Sequence, residues 1–460
     1  MLPEILTPVP GPRSRELAGK LAKYEARDVT WMTDEFPVFW ERAEGSNVWD
    51  ADGNRFLDLT AAFAVSGLGH SATKVRDALT TQAGQLLHAM GDVHPAVGKA
   101  RLCEELSAVT FERWGAGIGR TILANSGSEA VEAALKTAVM SKGKPGVIYF
   151  SGGYHGLGYG ALAAGGLPYF RKPFAAQIGT FGVEVPFPGC YRCPWECREE
   201  TRLEGDPFPQ CSTNCLATIE QAIRTAIADH EIGCLVVEPI QGRGGEIVPP
   251  QEFLPLLRRI CDEEKILLIA DEIYTGFHRT GKFFACEHFG VIPDIICLGK
   301  ALTNGFPLAA CVGRAEVMDA WPRSQGEALH TSTMLGNPLG CAMALAAIGE
   351  HRKPETARRA GEVGRKLKAA LRSLDSPHIG DVRGVGAMLG MELVRKDGRP
   401  FGELAVAMMI RALGDGLILL GGGMGGAVLS FSPPFTLSDE EIDFLIEKLQ
   451  LYLRTLPVGE

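Results

Sequence analysis

Short apolar runs of β type alternate with amphipathic helical stretches through the middle of this 460-residue chain. This order predicts a mostly parallel α/β sheet covered by helices on both faces, because parallel strands need long crossover connections. The strand-like runs include residues 122–124, 147–150, 234–237, 266–270, 295–298 and 309–312, and the helix-like stretches include 129–141, 217–227 and 253–263. In such sheets a ligand lies beyond the carboxyl ends of the strands.

Two charged residues stand at the ends of two of these runs. Asp271 closes the run 266–270, and Lys300 follows the run 295–298 and Gly299. Burial lowers the pKa of a lysine, and a desolvated amine is the nucleophile that a Schiff base needs. An enzyme that uses pyridoxal phosphate needs a lysine for the aldehyde and a carboxylate that keeps the pyridine nitrogen protonated. The pair therefore indicates such chemistry, and a structural ion pair is the alternative.

Composition narrows the classes of function. The net charge is −9 and no run of Lys and Arg occurs, which disfavours binding to nucleic acid. No apolar stretch reaches about 18 residues and the first residues do not resemble a signal peptide, so neither a membrane span nor export is expected. Seven of the twelve cysteines stand singly in apolar segments, as buried thiols do in a reducing compartment. The sequence therefore predicts a cytoplasmic protein.

Two short segments fall at the same predicted edge of the sheet. Ser126 and Glu129 fit the S-x-x-E capping box, so a helix begins here, and its free backbone N–H groups suit a phosphate. A plain helix cap is the alternative. Tyr154, in the segment Gly-Tyr-His-Gly, offers an aromatic face on which a pyridine ring stacks, although a packing contact is the ordinary role of such a residue.

Several motifs together carry a family resemblance. They are NSGSEAVEAALK, GGYHG, VVEPIQGRGG, the long block from Leu267 to Gly313, HTSTMLGNPLGCAMALA and VRGVGAMLGMEL. From about residue 36 onward the chain resembles the class III aminotransferases, which include ornithine, 4-aminobutyrate and 2,2-dialkylglycine converting enzymes. The resemblance implies the α/β fold type I of pyridoxal phosphate-dependent transferases. It has a mostly parallel central sheet in a large domain and a smaller α+β domain built from both termini.

The same resemblance implies domain bounds. Residues 1–75 and 336–460 are expected to form the smaller domain, and residues 76–335 the large cofactor-binding domain with a cysteine-rich insert at 189–215.

The resemblance also implies roles for the matching residues. Lys300 would form the internal aldimine with pyridoxal 5'-phosphate and then move the proton at the substrate Cα, and Asp271 would pair with the pyridinium nitrogen. His155 and Glu238 would support the site. The other cofactor-binding residues implied are Ser126, Gly127 and Ser128 for the phosphate, Ile273 and Tyr154 for the two ring faces, and Thr333 for the phosphate of the neighbouring subunit. A homodimer follows from this last contact.

The chain departs from the family at the substrate side. Ser430 stands where many members have an arginine for the substrate carboxylate, and Arg243 replaces the glutamate that pairs with that arginine. A lone buried glutamate would cost several kcal/mol, so the two changes fit together. We expect Arg243 to bind a carboxylate; an orientation toward solvent or a neighbouring acid is the alternative. Tyr274 stands where many relatives bond the cofactor's phenolic oxygen with a glutamine.

The insert contains two close pairs of cysteines. Cys190 and Cys193 form C-x-x-C, and Cys211 and Cys215 form C-x3-C after 17 residues. This spacing matches a four-cysteine metal site, with zinc as the default and an iron–sulfur cluster as a second option. Cys197 is a spare thiol. Free thiols or a disulfide are the alternatives, and the element is expected to be structural or regulatory.

These features together predict a homodimeric aminotransferase that acts on small molecules. It would move an amino group from an amine or amino acid to a 2-oxo acid or aldehyde by a ping-pong mechanism through the Lys300 aldimine. A racemase or aminomutase of the same fold would have the same Lys300 and Asp271. A non-catalytic protein that senses metal or redox state is a more remote alternative.

Overall fold

The computed structural model describes residues 1–193 and 215–456, together with the backbone of two short strands at 200–201 and 210–211. The strands are β1 (Trp40–Glu44), β2 (Asn47–Asp50), β3 (Arg55–Asp58), β4 (Gly119–Ala124), β5 (Gly146–Phe150), β6 (Gly182–Val185), β7 (Glu200–Thr201), β8 (Gln210–Cys211), β9 (Ile232–Val237), β10 (Leu267–Asp271), β11 (Ile295–Leu298), β12 (Ala309–Arg314), β13 (Ile379–Val385), β14 (Met388–Leu393), β15 (Leu417–Ile418), β16 (Leu420–Gly422) and β17 (Val428–Phe431).

Helices alternate with these strands along much of the chain. They are α1 (Pro12–Tyr24), α2 (Ala61–Ala64), α3 (Thr73–Ala83), α4 (Val97–Val109), α5 (Gly127–Lys142), α6 (Tyr159–Ala163), α7 (Pro168–Arg171), α8 (Cys215–Asp229), α9 (Phe253–Glu264), α10 (Ala315–Met318), α11 (Pro338–His351), α12 (Pro354–Arg372), α13 (Gly402–Gly414) and α14 (Asp439–Thr455). The short α2 is a left-handed turn, because all four of its residues have positive φ.

The central sheet has seven strands within the described residues, in the order β4-β12-β11-β10-β9-β5-β6. Strand β12 runs antiparallel to both of its neighbours, and the other strands share one direction. Every residue of β9, β10 and β11 is buried, as expected where helices cover both faces. Helix α5 packs on one face, whereas α4, α8 and α9 contribute to the core on the other. The predicted α/β architecture is confirmed.

Residues from both termini share a second core. Leu57 and Leu59 pack in one cluster with side chains of α12, α13 and α14. Strand β15, from the C-terminal part, pairs in parallel with the N-terminal β3. A separate four-stranded sheet, β13-β14-β17-β16, completes this region.

Helix α11 packs with the large sheet although it follows the predicted boundary at residue 336. Its residues Cys341, Ala344 and Ile348 belong to the core of the central sheet. We therefore propose a smaller domain formed by the N-terminal residues and the chain from α12 onward, with α11 in the large domain. Among the described residues, no helix combines the length and the apolar character needed to cross a membrane.

Candidate active site

Asp271 and Lys300 lie at the same edge of the central sheet. Strands β10 and β11 are parallel, and Asp271 is in register with Cys297, three residues before Lys300. The carboxyl ends of parallel strands meet at one edge, which is why two residues distant in sequence line a single cavity of about 630 Å³. The structure therefore brings these two predicted residues together.

The backbone and the amine of Lys300 are both in unusual environments. Its φ is +43°, a left-handed conformation that costs about 1–3 kcal/mol in a residue other than glycine and that clusters at functional sites. The amine lies 4.6 Å from the centre of the Tyr274 ring. Burial lowers the pKa of Lys300, and the charges of Asp271 and Glu238 oppose this shift. A lowered pKa increases the neutral, nucleophilic fraction of the amine.

The carboxylate of Asp271 is held by two donors. The His155 ring Nδ1 lies 2.7 Å from Oδ2, and the Ile273 amide donates to Oδ1 at 3.0 Å. Burial acts to lower the pKa of His155, but the hydrogen bond and charge of Asp271 outweigh it, and the net pKa is raised. The raised pKa of His155 favours the protonated ring, which with the Ile273 amide orients the Asp271 carboxylate toward a positive charge in the cavity.

Helix α5 presents its N-terminus to the cavity. The Glu129 amide donates to the N-cap Ser126 Oγ at 3.3 Å, but the Glu129 carboxylate accepts from the Asn125 amide at 2.9 Å. The predicted helix start is correct, whereas the reciprocal bond of the capping box goes to Asn125 because the carboxylate reaches one residue further. Ser126, Gly127 and Ser128 all line the cavity.

A side chain at Gly127 would press on Ile273. A Cβ there would lie 2.9 Å from Ile273 Cδ1, so glycine lets the helix end and Ile273 approach each other without a shift of the Ile273 side chain.

Ile273 and Tyr154 also line the cavity. The Tyr154 amide donates to Glu238 Oε2 at 3.0 Å, and the Gly242 amide donates to Oε1 at 3.1 Å. Burial raises the pKa of Glu238 to about 7. Glu238 thus fixes two loops of the cavity through backbone contacts.

Arg243 lies exposed at the side of the cavity against two aromatic rings. Its guanidinium is 6.0 Å from the Tyr154 ring centre and 5.3 Å from that of Phe170, distances at which a cation and a ring attract. Within the described part of the chain it forms no salt bridge. Ser430 lines the same cavity. The guanidinium is therefore directed along the cavity wall and not toward a neighbouring acid of the described chain.

Two residues of the cavity, Glu246 and Phe63, were not predicted from the sequence. Glu246 lies in its wall, and the Tyr274 hydroxyl is 3.4 Å from Glu246 Oε1 and 3.2 Å from Ser432 Oγ. Tyr274 thus bonds protein groups, at the position where many relatives have a glutamine for the cofactor's phenolic oxygen. The signal for Glu246 was a lone acid directly after two glycines in an apolar segment. Phe63 lines the cavity from the left-handed turn α2, which carried no recognised signal.

Thr333 is exposed and is not among the described residues that line the cavity of its own chain. Its neighbours hold the segment in place: Thr331 Oγ1 donates to Asp92 at 2.9 Å, and Asn125 Nδ2 donates to Ser332 Oγ at 3.2 Å. The segment therefore lies beside the residue that precedes the helix α5 cap.

The fold and this cavity are those of a pyridoxal phosphate-dependent transaminase of fold type I. The family model "Aminotransferase class-III" matches residues 30–453, and the chain belongs to that family. A 4-aminobutyrate aminotransferase of Mycobacterium leprae is 36% identical over 456 residues, which cover 98% of each chain. A 5-aminovalerate aminotransferase of Pseudomonas aeruginosa is 36% identical, over 88% of this chain and 91% of that protein.

Solved structures agree with the sequence relatives. An amine transaminase from an uncultivated Pseudomonas species superimposes with a TM-score of 0.82 at 29% identity, over 94% of this chain and 98% of that chain. An (S)-enantioselective omega-transaminase from Thermomicrobium roseum gives 0.84 at 27% identity, over 98% and 99%.

Pyridoxal phosphate is the cofactor of this family, and the described residues fit it. A helix N-terminus suits its phosphate, and the close approach of Gly127 to Ile273 leaves that helix end uncovered by a side chain. The amine of Lys300, with its lowered pKa, and the carboxylate of Asp271 meet the needs of its aldehyde and its pyridine nitrogen.

Proposed function

We propose that this aminotransferase takes its amino group from a donor that bears a carboxylate at a distance from the reacting nitrogen, and passes it to a 2-oxo acid or aldehyde. The observation that carries the proposal is the position of Arg243, which lines the cavity of Lys300 and forms no salt bridge with a described residue. The 4-aminobutyrate and 5-aminovalerate specificities named for two relatives support an ω-amino acid as the donor.

The cofactor-binding roles are part of this proposal. Ser126, Gly127 and Ser128 would hold the phosphate at the N-terminus of α5, while Ile273 and Tyr154 would enclose the ring. When bound, pyridoxal phosphate supplies an electron sink for the bonds at the substrate Cα. Lys300 would take the proton from that carbon and deliver it to the cofactor, because burial lowers the pKa of its amine. Asp271 would hold a proton on the pyridine nitrogen, supported by His155.

Replacing Arg243 tests the donor class. R243A is expected to lower kcat/KM for 4-aminobutyrate roughly 10- to 100-fold, because a charged hydrogen bond contributes about 1.5–3 kcal/mol. The loss should appear mainly in KM, since the arginine holds the carboxylate before and during the reaction. For 1-aminobutane, which has the same carbon chain and no carboxylate, kcat/KM of R243A should differ from that of the wild type by less than about twofold. The measurement is the half-reaction followed through the visible absorbance of the bound cofactor.

Arg42 provides the matched control for Arg243. It also stacks on an aromatic ring, Trp49, at 3.6 Å, but it does not line the cavity. R42A should leave the kinetics of both donors unchanged. An unchanged KM for every carboxylate donor in R243A would contradict the proposed role of Arg243.

We also propose a homodimer in which Thr333 reaches the phosphate site of the partner. Apolar side chains are exposed on two neighbouring segments, which hold Met90, Val93 and Val97 on one side and Leu329 and Met334 on the other. The Thr331–Asp92 hydrogen bond joins these segments. Exposed apolar side chains on neighbouring segments are typical of an interface, and Thr333 stands between Leu329 and Met334 in the sequence.

The cysteine insert remains a proposed metal site. Cys190, Cys193 and Cys215 belong to the described residues, and Cys215 begins α8. Cys197 and the side chain of Cys211 lie outside them. Within the described residues, no three potential metal ligands lie close enough together to hold an ion. The support for the site is therefore the spacing of the two pairs in a segment poor in apolar residues.

Elemental analysis tests this metal site. Protein purified without chelator is expected to contain about one zinc ion per chain, or iron with acid-labile sulfide, and C211S should lose the metal. C103S, at a partly buried single cysteine elsewhere, is the control. Metal-free wild-type protein, or retention of metal in a C190S/C211S double variant, would argue against the site.

The seven single cysteines support a reducing compartment. Cys103, Cys234, Cys261, Cys286, Cys297, Cys311 and Cys341 are free thiols, and six of them are buried. Burial raises the pKa of Cys234 to about 12, so its thiol is inert at neutral pH. We therefore keep the cytoplasm as the proposed location.

A further inference from the structure

The carboxyl group of Glu246 is buried in the wall of the cavity that holds Lys300. The residue is 1% exposed, and its Oε1 accepts a 3.4 Å hydrogen bond from the Tyr274 hydroxyl. Its Oε2 has no hydrogen-bond partner among the described residues. A buried carboxyl oxygen without a hydrogen-bond partner is costly, so Oε2 is free to accept from a ligand that enters the cavity.

The arginine whose charge acts on Glu246 already pairs with other acids. Arg383 donates from Nη1 to Glu392 at 2.6 Å and to Asp381 at 3.2 Å, and from Nε to the Gly245 carbonyl at 2.8 Å. Glu246 forms no salt bridge with it. The second arginine of the region, Arg243, stacks on Tyr154 and Phe170. Neither cation compensates Glu246 by direct contact.

Burial raises the pKa of Glu246 to about 8, although the Ser430 hydroxyl and the charge of Arg383 oppose the shift. A cation placed against the carboxyl would restore its ionised form. The small side chain of Ser430 lines the cavity beside Glu246, which leaves room for a ligand group there.

Tyr274 connects this carboxyl to the reactive amine. Lys300 Nζ lies 4.6 Å from the ring centre, and the hydroxyl at the far end of the ring contacts Glu246. The amine thus lies over the ring and the acid lies at its hydroxyl, so part of the apolar ring surface separates the two groups.

We infer that Glu246 binds the second ammonium group of an α,ω-diamine, which adds a donor class to the carboxylate-bearing donors proposed for Arg243. An ammonium supplies one positive charge and three N–H donors, and it would satisfy the unpartnered Oε2. The inference rests on the proposed aminotransferase chemistry of the same cavity. One nitrogen of the diamine is transferred to the 2-oxo acid, which becomes an amino acid. The diamine leaves as an amino aldehyde whose second nitrogen is unchanged.

Three donors of equal length test the inference in the holoenzyme. They are 1-aminobutane, 1,4-diaminobutane and 4-aminobutyrate, each followed in the half-reaction. Wild-type enzyme is expected to prefer the diamine to the monoamine by about tenfold or more in kcat/KM, as for one charged hydrogen bond. E246Q should bring this ratio to about one or two, mainly by raising the KM for the diamine. E246D retains the charge and should keep part of the preference for the diamine. It replaces E246Q in the test if E246Q folds poorly.

Glu272 is the matched control for Glu246. It is also buried with a raised pKa, of about 7, but it accepts hydrogen bonds from the Ala285 and Cys286 amides and does not line the cavity. E272Q should keep the wild-type ratio of diamine to monoamine. A wild-type ratio near one would overturn the inference. So would an equal loss for both amines in E246Q, or a loss confined to 4-aminobutyrate.

A binding measurement separates this inference from the proposed function. The diamine should raise the unfolding temperature of wild-type holoenzyme more than the monoamine does, and E246Q should remove the difference. If no donor reacts but the difference persists, the proposed function fails and the Glu246 site stands. If donors react but the diamine gives no extra stabilisation in the wild type, the Glu246 site fails alone.

Discussion

K300A is expected to lower the rate of amino transfer by roughly 10⁴-fold, since general acid–base catalysis alone contributes about 10²–10⁴-fold. Among the described residues that line the cavity, Lys300 is the one with an amine, so no neighbour can replace it. The fold should survive. The substitution removes a desolvated amine whose pKa is lowered by burial, and this group is a cost to the folded state. The measurements are single-turnover kinetics with a saturating donor and thermal unfolding of the variant.

K300R serves as the control for charge and packing. Arginine keeps a cation against the Tyr274 ring, but its guanidinium stays protonated and cannot act as a nucleophile or base. Activity should therefore be as low in K300R as in K300A. If K300R retained more than a few per cent of wild-type activity, the amine would not be the reacting group.

The sheet and its chemical residues were predictable because they depend on local patterns. Asp271 and Lys300 each end an apolar run, and parallel strands bring such ends to one edge whatever the rest of the chain does. Ser126 was predictable in the same way, because a helix cap depends on a few adjacent residues. The hydrogen bond that the Asn125 amide donates to Glu129 was not predictable, since the spacing of residues does not say how far a flexible side chain extends.

The substrate side of the cavity depends on contacts between distant segments. Glu246 follows β9, Tyr274 follows β10, and Ser430 lies in β17, so their meeting is set by how the sheet β13-β14-β17-β16 packs on the central sheet. No local pattern in the sequence defines that packing. The sequence identified the exchange at Arg243 and Ser430 but missed the buried acid, which is visible only when the segments are assembled. Specificity in this enzyme is therefore expected to reside in the contact between its two cores.

The adjacent acids Asp271 and Glu272 allow an effect on catalysis to be separated from an effect on stability. D271N keeps the size of the side chain but removes its charge, so the group facing the cavity no longer stabilises a positive charge there. We expect kcat to fall about 10³-fold, as when one preorganised electrostatic contact is lost.

The substitution D271N should also cost about 1–3 kcal/mol of stability, because the His155 ring and the Ile273 amide lose their charged acceptor. Loss of the carboxylate lowers the pKa of His155, which limits the cost by allowing the ring to be neutral. The matched control is E272Q at the next residue, whose carboxyl is equally buried but accepts from the Ala285 and Cys286 amides. E272Q should lower stability by a similar amount, while its kcat per folded molecule stays within about threefold of wild type. The measurements are urea unfolding and kcat at a saturating donor for both variants. If the two variants lost kcat equally, Asp271 would act through stability and would have no part in the chemistry.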